Sequence, residues 1–171
     1  MWNCRELGNL RTENELVNLI RAKDPSVVFI AETWADDARL DRTLSKINFD
    51  QKWVVARVNR GGGLVLFWKN TVNLTVVDSH RYYIDTIING NSENKWRFTG
   101  FYGEPETARR FEAWDKLRAL NSRQNRPWLC AGDFNKLFDR KRSWVDREEI
   151  TIRCSYLEMW LMSVASWIWD L

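Results

Sequence analysis

Apolar residues along this chain change period several times, and each change marks an element. From Leu10 to Lys23 they recur at helical spacing, which predicts an amphipathic helix with Leu16, Val17, Leu19 and Ile20 on its inward face. Thr12-Glu13-Asn14-Glu15 fits a capping box at its start, and Asp24-Pro25 ends it. Val27-Val28-Phe29-Ile30-Ala31 is then a continuous β-rich run, the pattern of a strand buried on both faces. A weaker helix spans Asp36 to Ile47. The period next shifts to that of strands, predicted at Trp53–Arg57, Gly63–Trp68, Val72–Val77, Tyr82–Ile88 and Arg97–Tyr102. Between them, Arg60-Gly61-Gly62-Gly63 and Ile88-Asn89-Gly90-Asn91 are turn chemistry. A last helix, from about Glu106 to Asn121, carries Phe111, Trp114, Leu117 and Leu120 at helical spacing. After Pro127 comes a short apolar strand, Trp128-Leu129-Cys130-Ala131. The order is helix, strand, helix, a run of antiparallel strands, helix, strand. It predicts an α/β sandwich, two packed and mainly antiparallel sheets with helices outside.

The last strand leads into Gly132-Asp133-Phe134-Asn135. Asp133 and Asn135 fall two apart, so in extended geometry their side chains share one side while Phe134 takes the other. A carboxylate and an amide thus emerge together at a strand's C-terminal end, where open α/β sheets place ligands. An Asx-type turn with a packed Phe is the plainer account of the same residues. Gly61-Gly62-Gly63 reads as a hairpin turn, not a P-loop: it lacks the Gly-Lys-Ser/Thr ending and runs into a strand.

Composition narrows the classes. At 171 residues the chain is one domain or part of one, and 44% hydrophobic content suffices for a core. A net charge of +3 permits a polyanionic partner without arguing for one. Cys4, Cys130 and Cys154 form no metal-binding or even disulfide framework, so they read as reduced intracellular thiols, with no disulfide-linked partner. No signal peptide stands at the start and no apolar run reaches membrane-spanning length. The single histidine, His80, excludes schemes that need two.

Polar groups stand at four strand ends: Asn3 near the start, Glu32 after Val27–Ala31, Tyr102 after Arg97, and Asp133 with Asn135 in the last strand. Carboxylate and amide oxygens suit a hard cation such as Mg²⁺, which takes one or two carboxylates and keeps several waters. A tyrosine hydroxyl and an asparagine amide can donate to phosphate oxygens. Each residue singly has a structural alternative: a helix N-terminal carboxylate for Glu32, a sheet-edge aromatic for Tyr102, a turn residue for Asn3.

In this order the blocks WNCRELGN, FIAETW, GGGLVLFW, YYID, WRFTGFYGEP and WLCAGDFN resemble the endonuclease/exonuclease/phosphatase superfamily. Within it they resemble the endonuclease domain of plant non-LTR retrotransposon polyproteins, from Trp2 to about Asp139. The resemblance implies a four-layer α/β sandwich and Mg²⁺-dependent (or Mn²⁺-dependent) phosphodiester hydrolysis of DNA in the nucleus. It implies that Asn3 and Glu32 hold the metal, that Tyr102 and Asn135 contact the scissile phosphate, and that Asp133 orients or activates water. A phosphatase of the same superfamily and a non-catalytic relic are the rival readings.

The departures from that pattern are specific. Glu6 stands where the family usually has Gly, and Lys136 where it has an acidic residue. The late Asp and the Ser-Asp-His motif do not occur after GDFN. Asp78-Ser79-His80 resembles that motif superficially but lies between mid-chain strands, far ahead of GDFN. Residues 1–139 therefore read as the N-terminal part of the domain, with several strands of the second sheet missing. Residues 140–171 read as a frameshifted tail. Codons that begin at the third base of each present codon can encode the family's usual continuation, with Gly-Gly, an amphipathic QMQLF segment and Asp-Leu-Gly. Three tryptophans of the tail, Trp160, Trp167 and Trp169, then have no selected partner surface. Sequencing the encoding locus tests this: read one frame over, the bases after the Phe138 codon should specify that continuation, and any other reading makes the tail a genuine C-terminal element.

Overall fold

The computed structural model describes residues 1–135, except 5, 6, 8, 58–61, 124 and 125. Glu6, Arg60, Gly61, Lys136 and the whole 140–171 tail lie outside the described residues.

The first helix, α1 (Leu10–Lys23), begins two residues before the expected capping box. Asn9 is its N-cap, with a side-chain oxygen accepting from Arg11 N at 3.0 Å. Glu13 is buried instead of capping: Lys46 Nζ lies 2.9 Å, Thr43 Oγ1 3.3 Å and an Arg39 guanidinium nitrogen 3.7 Å from its oxygens. Burial pushes the Glu13 carboxyl up, but the Lys46 hydrogen bond and the two positive charges outweigh it and leave it below the usual range. Leu16, Val17 and Ile20 face inward, whereas Leu19 is exposed. At 100° per residue Leu19 sits roughly 110° from the centre of the buried arc. The helix ends at Asp24, left-handed at φ 42°, ahead of Pro25.

Around α1 the chain builds its first sheet. Its members are β1 (Trp2–Asn3), β2 (Val27–Ala31), β3 (Gln51–Val55) and β4 (Leu64–Trp68), in the order β1-β2-β4-β3. β1 and β2 are parallel, and the other pairs are antiparallel. α2 (Asp37–Ile47) is capped by Asp36. The second sheet runs β5 (Leu74–His80), β6 (Tyr83–Ile88), β7 (Trp96–Tyr102), β8 (Trp128–Asp133), antiparallel except for the parallel β7–β8 pair. α3 (Arg110–Asn121) follows a turn of 3-10 helix at Thr107–Arg109. Its Phe111 is 62% exposed, contrary to expectation. α3 buries Ala113, Leu117 and Leu120, and Phe111 projects from roughly the opposite side of the cylinder.

Three apolar layers stack these parts into the expected four-layer α/β/β/α sandwich. Val28, Ile30, Val65 and Phe67 meet Leu16, Ile20, Leu40 and Ile47 of α1 and α2. The alternate residues Phe29, Ala31, Leu64 and Leu66 meet Ile84, Ile88 and Phe98 of the second sheet. Tyr82, Tyr83, Phe101 and Trp128 are covered by α3. Both faces of β2 and β4 are therefore buried, which is why their sequences read as unbroken apolar runs. The sheets meet closely at Gly100, where an added Cβ would lie 2.3 Å from Phe29 Cδ2. No described helix is long and apolar enough to cross a membrane.

One buried ion pair ties α3 to the second sheet. Arg97 donates to both Asp85 oxygens at 2.7 and 2.8 Å and to the Leu120 carbonyl at 2.8 Å. Thr99 Oγ1 donates to Asp85 at 2.6 Å and accepts from the Trp128 indole at 2.9 Å. Every group is satisfied, the condition under which a buried pair is tolerated. Replacing Asp85 by Ala leaves the Arg97 charge buried and unpaired. It should lower stability by about 3–5 kcal/mol in urea unfolding, and a loss below about 1 kcal/mol, the scale of an exposed pair, would contradict this reading.

Candidate functional site

Two parallel strand pairs, one in each sheet, end at the same edge of the sandwich. Asn3 is in register with Ala31, so Glu32 follows directly beyond the end of β2. Tyr102 is in register with Asp133, and Gly103 N donates to the Asp133 carbonyl at 2.7 Å. Sheet-on-sheet packing then sets the first pair against the second. Asn3 Nδ2 donates to Asp133 Oδ2 at 2.9 Å and lies 3.5 Å from Glu32 Oε1. The Tyr102 hydroxyl donates to that same Glu32 oxygen. Asn135 N donates to Asp133 Oδ1 at 2.9 Å, while its side-chain amide donates to the Gly103 carbonyl at 2.7 Å. The structure thus places Asn3, Glu32, Tyr102, Asp133 and Asn135 in one hydrogen-bonded group. The Asx-type bond within Asp133–Asn135 coexists with this convergence.

The backbone is unusual at three positions here. Glu32, Trp34 and Asn135 are left-handed, at φ 57°, 47° and 44°. Such conformations cost on the order of 1–3 kcal/mol each and persist where surroundings over-determine them. The segment after β2 is pinned from two sides. Leu7 N donates to the Thr33 carbonyl at 2.8 Å, and Trp34 N to the Gly62 carbonyl at 2.9 Å. Thr33 Oγ1 donates to the same Gly62 carbonyl at 3.1 Å. Gly62 lies so close that an added Cβ would sit 2.5 Å from Glu32 Cα. Gly62 and Gly63 lie between β3 and β4, and Gly62 packs against Glu32, a part that spacing alone did not reveal.

The donor set fits a hard divalent cation. Among the described residues Asn3 Oδ1 is buried with no hydrogen-bond partner, as are Arg39 Nη2 and His80 Nδ1, although buried polar atoms are nearly always satisfied. The nitrogen of the same amide lies against the Glu32 and Asp133 carboxylates. Among the described residues no group of three or more His, Cys, Asp or Glu side chains could enclose an ion. An amide oxygen and two carboxylates match a cation that keeps several waters. Burial, followed by the Glu32 hydrogen bond and charge, pushes the Tyr102 phenol far above its ordinary value, so it remains a proton donor across the working pH range.

Outside this group runs a cleft of about 540 Å³, with Glu32, Trp34, Arg57 and Tyr102 on its walls. Arg81, Tyr82 and Glu104 also line it and were not singled out in the sequence, although Tyr82 and Glu104 fall within YYID and GFYGEP. The Tyr82 hydroxyl lies 2.9 Å from Glu104 Oε2 and 3.2 Å from Glu112 Oε2. Burial and then Glu104 push it up to about 12. His80 ends β5 itself and does not lie between strands. Its ring lies against Tyr82 and Tyr83, which form the layer under α3. Burial lowers its pKa, and Lys116 and Arg81 lower it further. Gly62→Ala should cost about 1–3 kcal/mol by overpacking against the Glu32 backbone. Gly90→Ala, with its nearest contact at 3.5 Å, should stay within about 1 kcal/mol of the parent. Equal effects in paired thermal melts would remove Gly62 from this account.

The family model described as "Endonuclease/Exonuclease/phosphatase family" matches residues 2–146. Comparison with curated proteins gives no match. Among solved structures the chain is similar to an AP endonuclease from Archaeoglobus fulgidus, with TM-score 0.59 and 11% identity over 78% of this chain and 55% of that one. It is similar to humanized D. rerio TDP2, with TM-score 0.56 and 13% identity over 79% of this chain and 60% of the other. It is also similar to the 3' phosphatase NExo from Neisseria bound to a product DNA hairpin, with TM-score 0.55 and 16% identity over 78% and 56%. The chain thus spans 55 to 60% of the length of these three structures.

Proposed function

The chain belongs to the endonuclease/exonuclease/phosphatase family, and on that premise we propose that its site is built for metal-dependent hydrolysis of DNA phosphodiesters. The observation that carries this reading is the Asn3 amide: its nitrogen lies against the Asp133 and Glu32 carboxylates, and its buried oxygen has no hydrogen-bond partner among the described residues. Asn3 and Glu32 would hold Mg²⁺, with Mn²⁺ as a substitute. Bound there, the cation would supply positive charge against the phosphoryl oxygens as negative charge develops. Tyr102 keeps its proton and is placed to donate to a phosphate oxygen. Asn135 is held by its left-handed turn with its amide at the same edge and serves the same phosphate. Among the described residues Asp133 accepts one protein donor on each oxygen, which leaves lone pairs to hold and orient the attacking water.

The order and content of the six sequence blocks favour a retrotransposon-type endonuclease over a phosphatase of the same family. DNA is then the partner and the nucleus the place of action. A specific observation favours a weaker activity for the 171 residues themselves. They contain no Ser-Asp-His motif after GDFN, and so lack the Asp–His pair that the family resemblance assigns to the attacking water. Groups that act as a unit lose most of the rate when one is missing.

The test has two parts. Water-proton relaxation with Mn²⁺ should detect an ion on the 171-residue chain, weakened in Glu32→Gln, and the same chain should nick supercoiled plasmid only feebly. A chain continued in the restored reading frame should nick it readily, with Asp133→Ala lowering the rate about 10²- to 10⁴-fold. Strong nicking by the 171-residue chain would overturn the impairment, and ion binding indifferent to Glu32 would overturn the metal site.

A further inference from the structure

The cleft beside Glu32 has a wall that the hydrolytic reading does not use. Trp34 stands two residues beyond Glu32, in the same left-handed stretch. Its indole is 40% exposed, although burying such a ring is strongly favourable. It is also held in place. Its backbone N–H donates to Gly62, and a Cβ on Gly62 would lie 2.9 Å from the indole Nε1, so the ring rests on bare backbone. The Arg57 guanidinium carbon lies 5.8 Å from the ring centroid. Arg57 is exposed and, among the described residues, pairs with no carboxylate. The other two arginines on the cleft, Arg81 and Arg109, both pair with Glu112. One guanidinium on this cleft is therefore left for a ligand, and it is the one beside the open indole.

A flat aromatic face joined to a cation is the chemistry that holds a nucleotide by base stacking and phosphate neutralisation. A base inside a duplex is stacked on both sides and offers no face; an unpaired base does. We propose that Trp34 and Arg57 form a platform for an unpaired nucleotide next to the scissile phosphate. The substrate class is then single-stranded or locally unpaired DNA, not continuous duplex. This rests on the reading of Glu32 and Asp133 as the hydrolytic site. Stacking is tolerant of base identity, so the platform selects for an unpaired state and not for a sequence.

The test is binding by the full 171-residue chain, without metal, to a labelled oligothymidylate and to a blunt duplex of equal length, read by fluorescence anisotropy. The single strand should bind more tightly. Trp34→Ala should weaken it about 5- to 100-fold while Trp34→Phe largely restores it. Arg57→Ala should weaken binding and reduce the salt slope by about one. Phe111→Ala, an exposed aromatic on α3, should change nothing. Far-UV circular dichroism checks that each variant is folded. Should Trp34→Ala unfold the chain, the Trp34→Phe and Arg57→Ala arms decide the matter. Equal affinity for the two DNAs, or a folded Trp34→Ala that binds like the parent, overturns the platform. If Mn²⁺ binding still depends on Glu32 in that case, the hydrolytic reading stands and only the platform falls. Failure to bind either DNA overturns both the platform and the DNA substrate, leaving the metal site to its own test.

Discussion

The close approach of the two sheets governs everything else in this structure. Phe29 fills the space above Gly100, and no other residue type at position 100 would allow the ring to lie there. That contact, with Ala31, Leu64 and Leu66 against Ile84, Ile88 and Phe98, fixes the offset of one sheet over the other. The offset decides whether the end of β2 meets the end of β8. Interiors pack at crystal-like density, so a shift of an ångström in this layer would be transmitted to the edge without being absorbed.

At that edge several unusual features fall together. Away from the site, the buried carboxylates are paired, Asp85 with Arg97 and Thr99 and Glu13 with Lys46, Arg39 and Thr43, although Arg39 Nη2 and His80 Nδ1 lack a hydrogen-bond partner among the described residues. At the edge, among the described residues, an amide oxygen has no partner, two carboxylates share one amide donor, and three non-glycine residues are left-handed. Satisfied networks hold sheets and helices in place. The unsatisfied group is where a ligand has something to gain, because its binding would restore interactions that folding has left unmade. Trp34 belongs to the same economy, since the glycine beneath it fixes its ring while leaving part of it in water.

The two parallel pairs explain how so few residues suffice. Parallel neighbours finish at the same end, so β1 with β2, and β7 with β8, each deliver two strand ends together. Antiparallel neighbours would have sent every second end to the far side. The short β1, only Trp2–Asn3, matters out of proportion to its length because it carries Asn3 to the edge.

Much of this was legible in the chain, and the errors are instructive. Continuous apolar runs identified β2 and β4 because both faces of each strand are buried, and helical periodicity identified α1 and α3. Strand-end polar residues in WNCRELGN, GDFN, FIAETW and GFYGEP were the candidates that the fold brings together at one edge. Periodicity misjudged Leu19, which lies beyond the edge of its helical stripe, and Phe111, because an i, i+3 ladder drifts by roughly 60° at each step and carries its first member off the buried face. The capping box failed because Glu13 was wanted by Lys46 and Arg39 on another helix. Local sequence thus determined which segments become strands and helices, and which chemistry stands at their ends, because side-chain alternation and turn residues act over a few positions. Only the tertiary structure decided that Asn3 touches Asp133 and that Gly62 presses on Glu32. Those contacts span long separations, and their geometry depends on how two sheets settle on each other, a property that no short window of sequence contains.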